Sequence, residues 1–340
     1  MIKLNLLRIR STTLGWGILA LLGLAAVGPM PVSGATFPDL YQAAVPVTDH
    51  SDNGMSNAFQ SALKVVLVRV TGRRSAAQDP ALAPLLGNAR RYMQQYRAGT
   101  GNLVWVSFDG TALERWLAQN SQPLWGKERP VTAVWLGVPG GKGPGSILTR
   151  EDSSEFKRSL EQQAAIRGIF LLWPSAADVQ RSGVTYANLV QGPATSLADQ
   201  AKRLGADGVL VGHAGDSAGG VRWTFLYQGR STEFSGAAEG VDRAADTYAG
   251  MFAANGESAK VGLEVTGVSD LQTYAGVQNY LESLTLISHV NVVGFDSDTM
   301  RLTVVARGGA EAVQRALGQD SRLEPSGGAE PGILRFHARR

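Results

Sequence analysis

The sequence predicts an α+β protein built from three small α/β units. Segments with helical spacing of apolar residues alternate with short runs rich in β-branched residues along most of the chain. Two glycine-containing polar breaks, residues 137–146 and 255–258, separate three such stretches. The chain has 340 residues and no cysteine. Its length suits two or three domains, and packed cores rather than disulfides must stabilise them.

The first 35 residues have the layout of a secretory signal peptide. Residues 1–10 contain three basic side chains and no acid, residues 14–27 are apolar, and small residues precede a cleavage site placed after Ala35. A retained membrane anchor is the alternative, but this apolar run is shorter than the roughly 20 residues that span a bilayer. We therefore expect cleavage near Ala35 and a soluble periplasmic protein without a transmembrane segment.

The charge balance argues against nucleic acid as a partner. The full chain has 32 Lys and Arg against 29 Asp and Glu, and three of the bases lie in residues 1–35. Without them the chain has no net charge, unlike the basic surface of a nucleic-acid-binding protein. Residues 36–150 are net +5 and residues 151–340 are net −5. The basic part could contact anionic lipid or a cell-wall polymer, but an ordinary solvated surface is the simpler interpretation.

The first unit, residues 36–138, is predicted to have the order β-α-β-β-α-β. Its longest helix starts near Ser51 or Asp52 and ends at Gly72, because apolar residues recur with helical spacing. The β-branched run at residues 65–68 is also compatible with a strand, but the longer helical period favours the helix. The other predicted elements are strands at residues 40–47, 92–96, 103–108 and 131–138, a short helix at 80–86, and a helix capped by Asp109.

The second unit, residues 150–259, follows a glycine-rich stretch at residues 139–149 that is predicted to be a flexible linker. Helices and adjacent strands alternate in it, which predicts an α/β unit of two or three layers. The predicted elements are helices at residues 153–166, 196–204 and 241–252, strands at 169–173 and 208–212, and a hairpin formed by 221–227 and 231–237.

The third unit, residues 260–340, again predicts β-α-β-β-α-β, the ferredoxin-like order. Asp270 is expected to cap its first helix, and residues 296–298 are expected to turn a hairpin. The other predicted elements are strands at residues 262–268, 290–295, 300–306 and 333–337 and a short helix at 310–317. This order occurs in many binding and scaffolding modules, so it implies no chemistry by itself.

A family resemblance rests on five segments, most of them in the first unit. They are residues 40–47 (LYQAAVPV), 66–74 (VLVRVTGRR), 92–96 (YMQQY), 106–109 (VSFD) and 124–136 (LWGKERPVTAVWL). In this order they resemble the proteobacterial domain-of-unknown-function family 2066. The resemblance implies an exported envelope protein. It implies no activity, because none is assigned to that family, and no catalytic residue is carried over.

The second unit has a resemblance of its own. A helix followed by residues 204–212 (LGADGVLVG) and then a hairpin is similar to the N-terminal domain of the Tol-Pal translocation protein. It is also similar to the curli-secretion and penicillin-binding-protein-activator lipoproteins. This resemblance implies a non-enzymatic part of an envelope machine.

No motif in the sequence predicts a catalytic centre, a cofactor site or a metal site. The four histidines are widely spaced, and His213, at the end of a predicted strand, is better interpreted as a structural residue than as a base or ligand. The loop at residues 137–145 departs from a phosphate-binding loop at its first glycine and at the Ser/Thr position. Asp296 and Asp298 lack the further acids of a calcium loop.

Four residues are candidates for contact with a partner. Trp125 lies in a predicted loop close to Arg129, and an aromatic side chain beside cations is typical of a polymer or protein contact. The alternative is that Trp125 fills the core of the first unit. Arg69 and Arg73 lie near the end of a predicted helix, where cations also interact favourably with the helix dipole.

We therefore expect a non-enzymatic periplasmic protein that acts as an accessory or scaffold in cell-envelope assembly. It would need no cofactor, and its partner would be an envelope protein rather than a nucleic acid. The alternative is an exported hydrolase or ligand-binding enzyme whose site is assembled from distant residues. A deep pocket that collects His, Asp or Ser would favour the enzyme, whereas open sheet faces would favour the interaction module.

Overall fold

The computed structural model describes residues 35–140, 143–215, 220–256, 258–284, 286–318, 322–327 and 333–339. All of them belong to the compact unit Val32–Arg340. Apart from Ala35, the predicted signal peptide lies outside the described residues. Within the described ranges, helices and β-sheets are mixed throughout, which confirms the predicted α+β class.

The first sheet has three antiparallel strands in the order β2-β4-β3. Helix α1 starts at Ser51, whose side chain accepts a hydrogen bond from the Gly54 amide, and ends at Gly72 in the left-handed conformation. Residues 65–68 therefore continue the helix rather than form a strand. The elements of this part of the chain are β1 (Ala35–Thr36), β2 (Gln42–Pro46), α1 (Asp52–Thr71), α2 (Ala83–Gly87), α3 (Ala89–Tyr92), β3 (Met93–Ala98), β4 (Leu103–Phe108), α4 (Gly110–Gln119) and β5 (Glu128–Arg129).

The central sheet has six strands in the order β11-β10-β9-β6-β7, with β8 also paired to β6. Strands β6, β8 and β9 are parallel, and β9, β10 and β11 form an antiparallel meander. The elements are β6 (Val131–Gly140), β7 (Gly143–Ile147), α5 (Glu155–Arg167), β8 (Phe170–Leu172), α6 (Ala176–Ser182), α7 (Tyr186–Gln191), α8 (Ala198–Arg203), β9 (Gly208–Ala214), β10 (Val221–Tyr227), β11 (Arg230–Ser235) and α9 (Glu239–Phe252).

Strand β6 corrects the predicted boundary of the first unit. Residues 131–138 were expected to close a β-α-β-β-α-β unit, but they pair with β9 in the centre of the second sheet. The strand is almost continuously buried, with Val134 and Leu136 in one hydrophobic cluster and Ala133 and Trp135 in another. Such a strand needs helices on both faces. Helices α5 and α9 pack on one face of β6, and helices α7 and α8 pack on its other face.

The glycine-rich stretch is also different from the flexible linker that was expected. Strand β7 pairs antiparallel with the end of β6, with Gly137 opposite Ile147 and Gly140 opposite Gly143. A Cβ atom at Gly145 would lie 2.6 Å from the ring of Tyr186. The glycines therefore allow a helix to pack closely on the hairpin. Residues 141–142 lie outside the described part of the chain.

The third sheet has five strands in the order β13-β14-β12-β16-β15. Its first four strands have the neighbours of a ferredoxin-like sheet, but β16 runs parallel to β12. The predicted ferredoxin-like unit is therefore wrong in its last strand. The elements are β12 (Ser258–Thr266), α10 (Leu271–Ser283), β13 (Ile287–Asp296), β14 (Thr299–Arg307), α11 (Gly309–Leu317), β15 (Leu323–Pro325) and β16 (Ile333–Ala338).

The cause of this reversal is strand β15, which the sequence pattern did not indicate. It lies between α11 and β16 and pairs antiparallel with β16. The chain therefore turns once more before its last strand. Helices α10 and α11 pack on a single face of this sheet, over Leu263, Leu302 and Val304.

We predict that Gly72→Ala destabilises the protein more than the same change at another left-handed glycine. Gly72 has a φ of 70°, and a Cβ there would lie 2.3 Å from the Cβ of Ala249. Backbone strain of about 1–2 kcal/mol adds to an overpacking cost of about 1–3 kcal/mol. The control is Gly205→Ala, where φ is 82° and nothing lies within 4 Å, so only the strain applies. Urea unfolding measures both, and equal losses would contradict the packing at Gly72.

Candidate functional site

The candidate contact residues Arg69, Trp125 and Arg129 lie in the interior. With Arg167 they form a cluster that we call the arginine junction, between the end of α1, the segment before β6 and the helices α5 and α9. Trp125 and Arg129 are each 0% exposed, and Arg69 is 6% exposed. Their side chains therefore contact the chain itself in this state. Trp125 is a core residue, as one of the two alternatives required, but it lies in the core of the central sheet rather than in that of the first unit.

Arg129 stacks on the ring of Trp125, with its guanidinium carbon 3.6 Å from the ring centroid. Its Nη2 atom donates hydrogen bonds to the carbonyl oxygens of Arg69 and Trp125, at 3.0 and 2.8 Å. Burial, followed by the nearby charge of Arg69, lowers the pKa of Arg129 well below the usual value. The aromatic face and the two carbonyls replace part of the water that this cation loses.

Arg69, on α1, is hydrogen-bonded to two other segments of backbone. It donates to the carbonyls of Asp39 and Gln42, both at 2.7 Å, and to that of Ala165 at 2.9 Å. Burial lowers the pKa of Arg69 to about 10, so the side chain is still charged at neutral pH. Gly168, with a φ of 69°, makes room for it, because a Cβ there would lie 2.4 Å from the Arg69 Cγ.

Arg73 is the most exposed of the four candidates, with 37% of its side chain accessible. It forms an ion pair with Asp79 at 2.9 Å and donates to the Gln122 side chain at 2.6 Å. These contacts hold the chain that follows α1. A role of Arg73 or its neighbours in binding a partner stays a prediction.

Arg167 is the residue of this cluster that sequence reasoning missed. It is fully buried at the end of α5 and binds Asp242 of α9 at 2.8 Å, Asp246 at 2.5 Å and the carbonyl of Gly72 at 3.0 Å. Asp242 is 3% exposed and is also 3.0 Å from the largely exposed Arg74. In the sequence, Arg167 is an ordinary basic residue in the last turn of a helix, so no local signal distinguishes it.

The other sequence candidates have structural positions. His213 is near the end of β9, and its cross-strand neighbour is Arg222. Burial, followed by the charge of Arg222, lowers the pKa of His213 below its usual value. Strand β13 ends at Asp296 and strand β14 begins at Thr299, so the hairpin turns where the sequence predicted it. Among the described residues, no cluster of three or more acidic or histidine side chains could hold a metal ion.

The third sheet leaves one face without helix packing among the described residues, and we call it the open face. Side chains alternate along β12 and β14, so that Lys260, Glu264, Arg301 and Thr303 lie opposite the helix-covered face. Arg335 of β16 is directly beside Glu264. Glu264 accepts a hydrogen bond from Arg335 at 2.9 Å and is 3.4 Å from Arg301. The hydrogen bond from Arg335 is the main cause that lowers the pKa of Glu264.

An open groove of about 600 Å³ lies at one end of this face, next to Ser269, Asp298, His337 and Arg339. A serine, a histidine and an aspartate from three separate segments are therefore brought together. They do not have the orientation of a catalytic triad. Nδ1 of His337 is 3.0 Å from the hydroxyl of Thr266, and Asp298 accepts a hydrogen bond from the Gly267 amide at 3.3 Å. In a triad, the aspartate binds the histidine at that nitrogen.

Comparisons with known proteins match the first part of the chain. Residues 35–126 match a family model described as Domain of unknown function (DUF8605). The matched segment contains the first sheet and its helices and ends before β6, as the first sheet does. The chain thus contains an uncharacterised domain. No curated protein and no solved structure gave a significant match. Within the described ranges, no helix has the length and apolar character needed to cross a membrane.

We predict that Arg167→Met lowers the free energy of unfolding by about 3–5 kcal/mol, because it leaves the carboxylate of Asp242 buried without its main partner. Arg181→Ala is the control. Its ion pair with Asp178 joins residues three apart on a helix, and 76% of the Arg181 side chain is exposed. Such a surface pair is worth less than about 1 kcal/mol.

The two variants are compared by urea unfolding. The double variant Arg167→Met, Asp242→Leu is expected to recover part of the loss, because it removes the buried charge as well. If Arg167→Met cost no more than Arg181→Ala, the arginine junction would not be a main source of stability.

We also predict that His213 titrates below pH 6.5, the usual value for histidine. Arg222→Gln should raise this pKa only in part, because burial is the larger cause. Because the folded protein lowers the pKa of His213, protonation of this ring favours the unfolded state. The stability associated with neutral His213 is therefore complete above pH 6.5 and is lost as the pH falls through the lower folded-state pKa. NMR titration of the His213 ring measures the effect. Arg230→Gln, at an exposed position of β11, is the control. If both changes shifted the pKa of His213 equally, Arg222 would not be the specific charge that lowers it.

Proposed function

We propose that this chain is an exported, non-enzymatic accessory protein of the cell envelope that binds a protein partner on the open face of its third sheet. The proposal of export rests on residues 1–35, with their basic start, apolar run and small-residue cleavage site at Ala35. The resemblance to the proteobacterial domain-of-unknown-function family 2066 supports an envelope location. The similarity of the middle unit to the N-terminal domain of the Tol-Pal translocation protein supports a non-enzymatic role.

The open face is the observation on which the binding role rests. On the central strands β14, β12 and β16 it presents Lys260, Arg301 and Arg335 around Glu264, and 51% of the Arg301 side chain is exposed. Asp296 of the edge strand β13 also contacts Arg301, at 3.2 Å. Two arginines bind one carboxylate, so the centre of the face is net positive. A partner with an acidic segment would fit this pattern, because complementary charges steer association and set orientation.

The hydrolase alternative rests on the groove beside the open face. Ser269, Asp298 and His337 all border it, but His337 is oriented by Thr266 and Asp298 by backbone. The groove is better suited to extend the binding surface than to activate a serine, because the aspartate does not hold the imidazole.

We predict that a photo-crosslinking amino acid at Thr303 captures a periplasmic protein in living cells, whereas one at Gln314 does not. Thr303 lies on the open face, and Gln314 is exposed on α11, on the other side of the sheet. The product is identified by mass spectrometry from the periplasmic fraction. The double change Lys260→Glu, Arg301→Glu should remove the Thr303 product, because it reverses the charge of the face.

Three outcomes would count against this proposal. Equal capture from Thr303 and Gln314 would mean that the open face has no special role. An unprocessed protein retained in the cytoplasm would contradict export. Loss of function in cells on Ser269→Ala or His337→Ala, with the open-face variants unaffected, would favour the enzyme.

A further inference from the structure

Within the described residues, strand β13 is a free edge of the third sheet. Its pairing with β14 contains two bulges, but its central stretch lacks the prolines and charged side chains that commonly protect such an edge. It has ten residues, and from Val290 to Phe295 it contains no charged residue and no proline. A free edge presents unpaired backbone groups to other chains, and proteins commonly block it with prolines, charges or short strands. Other edge strands among the described residues have such features: Pro46 in β2, Arg97 in β3, Pro144 in β7, Arg230 and Glu233 in β11, Pro325 in β15, and a length of only three residues in β8 and β15.

Exposed apolar side chains occur on this strand and on helix α10, which packs beside it. Val293 and Phe295 of β13 are 64% and 53% exposed, and Leu271 at the start of α10 is 80% exposed. The ring of Phe295 lies 5.7 Å from that of Tyr274 on α10, so the apolar surface continues from the strand edge to the helix. A chain that pairs with β13 would cover it.

The side chains of β13 follow a pattern set by a bulge at Val293. Before the bulge, Val290 lies opposite Val304 and faces the helices, whereas His289 lies opposite Val305 on the open face. After the bulge the alternation is shifted, so that Phe295 lies opposite the buried Met300 and Asp296 lies opposite Thr299. As a result, His289 and Asp296 share the open face, although they are separated by an odd number of residues.

We propose that β13 pairs antiparallel with β13 of a second copy of this chain, about a two-fold axis between Val292 and Val293. In this register His289 lies opposite Asp296 of the second copy, Val290 opposite Phe295, and Asn291 opposite Gly294. The two residues of each pair lie on the same face of the sheet. This is possible because the bulge at Val293 reverses the alternation of side chains between the two halves of the strand. The register places an acid opposite a histidine at both ends and a β-branched residue opposite an aromatic ring.

A second copy fits this edge better than an unrelated peptide, because the complementarity lies within the sequence of the strand itself. Asp296 is 66% exposed beside Arg301, so its carboxylate remains accessible to His289 of another copy. A two-fold axis makes each favourable contact twice.

The pairing has a consequence for the open face. A two-fold axis perpendicular to the sheet joins the two five-stranded sheets and keeps both open faces on the same side. The dimer therefore presents two identical basic surfaces to one partner or to two. This inference goes beyond the proposed function, and it does not depend on which partner binds.

The first test is the mass of the mature chain, residues 36–340, by sedimentation equilibrium at micromolar concentration. We expect the unaltered chain to be a dimer and Val293→Lys to be a monomer, because a lysine at the axis places two like charges together. Thr232→Lys is the matched control, since Thr232 is exposed on the other edge strand β11, and it should remain dimeric. Circular dichroism and urea unfolding establish that each variant is folded.

The second test uses the absence of cysteine from the chain to determine the register. Asn291→Cys and Gly294→Cys are made separately, and a Cβ at Gly294 meets nothing within 4 Å. Under mild oxidation a mixture of the two variants should form a disulfide-linked dimer, whereas each variant alone should remain largely unlinked. Residue 291 of one copy is too far from residue 291 of the other for a disulfide, whose Cα atoms lie at most about 7 Å apart.

Several results would overturn the inference. A monomeric unaltered chain at tens of micromolar would show that β13 has no such partner. A dimer that Val293→Lys leaves intact would place the interface elsewhere. Efficient linkage of Asn291→Cys alone would indicate a parallel or shifted pairing. Failure of the photo-crosslinking at Thr303 would affect the proposed function but not these results.

Discussion

The buried guanidinium of Arg167 is the interaction on which the arrangement of the first and second units depends. It binds Asp242 of α9 and the carbonyl of Gly72, so it satisfies a backbone group at the C-terminal end of α1 and a buried carboxylate together. Neither group has water as a substitute at this depth. Gly72 allows this approach because its left-handed conformation ends α1 against Ala249. Arg167 therefore joins the end of α1 to α9, and Arg69 adds a second connection, from α1 to α5 and the start of the first sheet.

Arg69 and Arg129 differ from Arg167 because their hydrogen-bond acceptors are carbonyl oxygens rather than carboxylates. Arg129 adds the face of Trp125. The lowered pKa values of both arginines express the cost of burying a cation with partial compensation. Because burying a cation is costly, an aromatic residue flanked by cations in the sequence was interpreted as an exposed contact. The same residues form an interior contact when carbonyls from four segments of the chain converge on them. Such convergence cannot be seen in a local sequence pattern.

Local chemistry predicted most of the helices and hairpins. The caps at Ser51, Asp109 and Asp270 and the turn after Asp296 depend only on residues a few positions apart. The partner of a strand is not local information. Strand β6 follows the first unit in sequence, yet its burial on both faces places it in the central sheet. Strand β15 has three residues, too few for a periodic signal, and it alone reverses the direction of β16. The candidate site was missed for the same reason, because the open face is assembled from three strands.

Charged side chains have different roles in the arginine junction and on the open face. In the arginine junction they are buried and contact carbonyls, carboxylates or an aromatic ring of the chain itself, so they leave little surface for a partner. On the open face they are accessible: Arg301 and Arg335 both bind Glu264, and Arg301 also contacts Asp296. Because hydrogen bonding to Arg335 lowers the pKa of Glu264, this carboxylate stays ionised throughout the physiological range. The charge of Glu264 is therefore constant over this range, and the attraction of the neighbouring cations for an acidic partner depends on ionic strength, which screens exposed charges over about 8–10 Å.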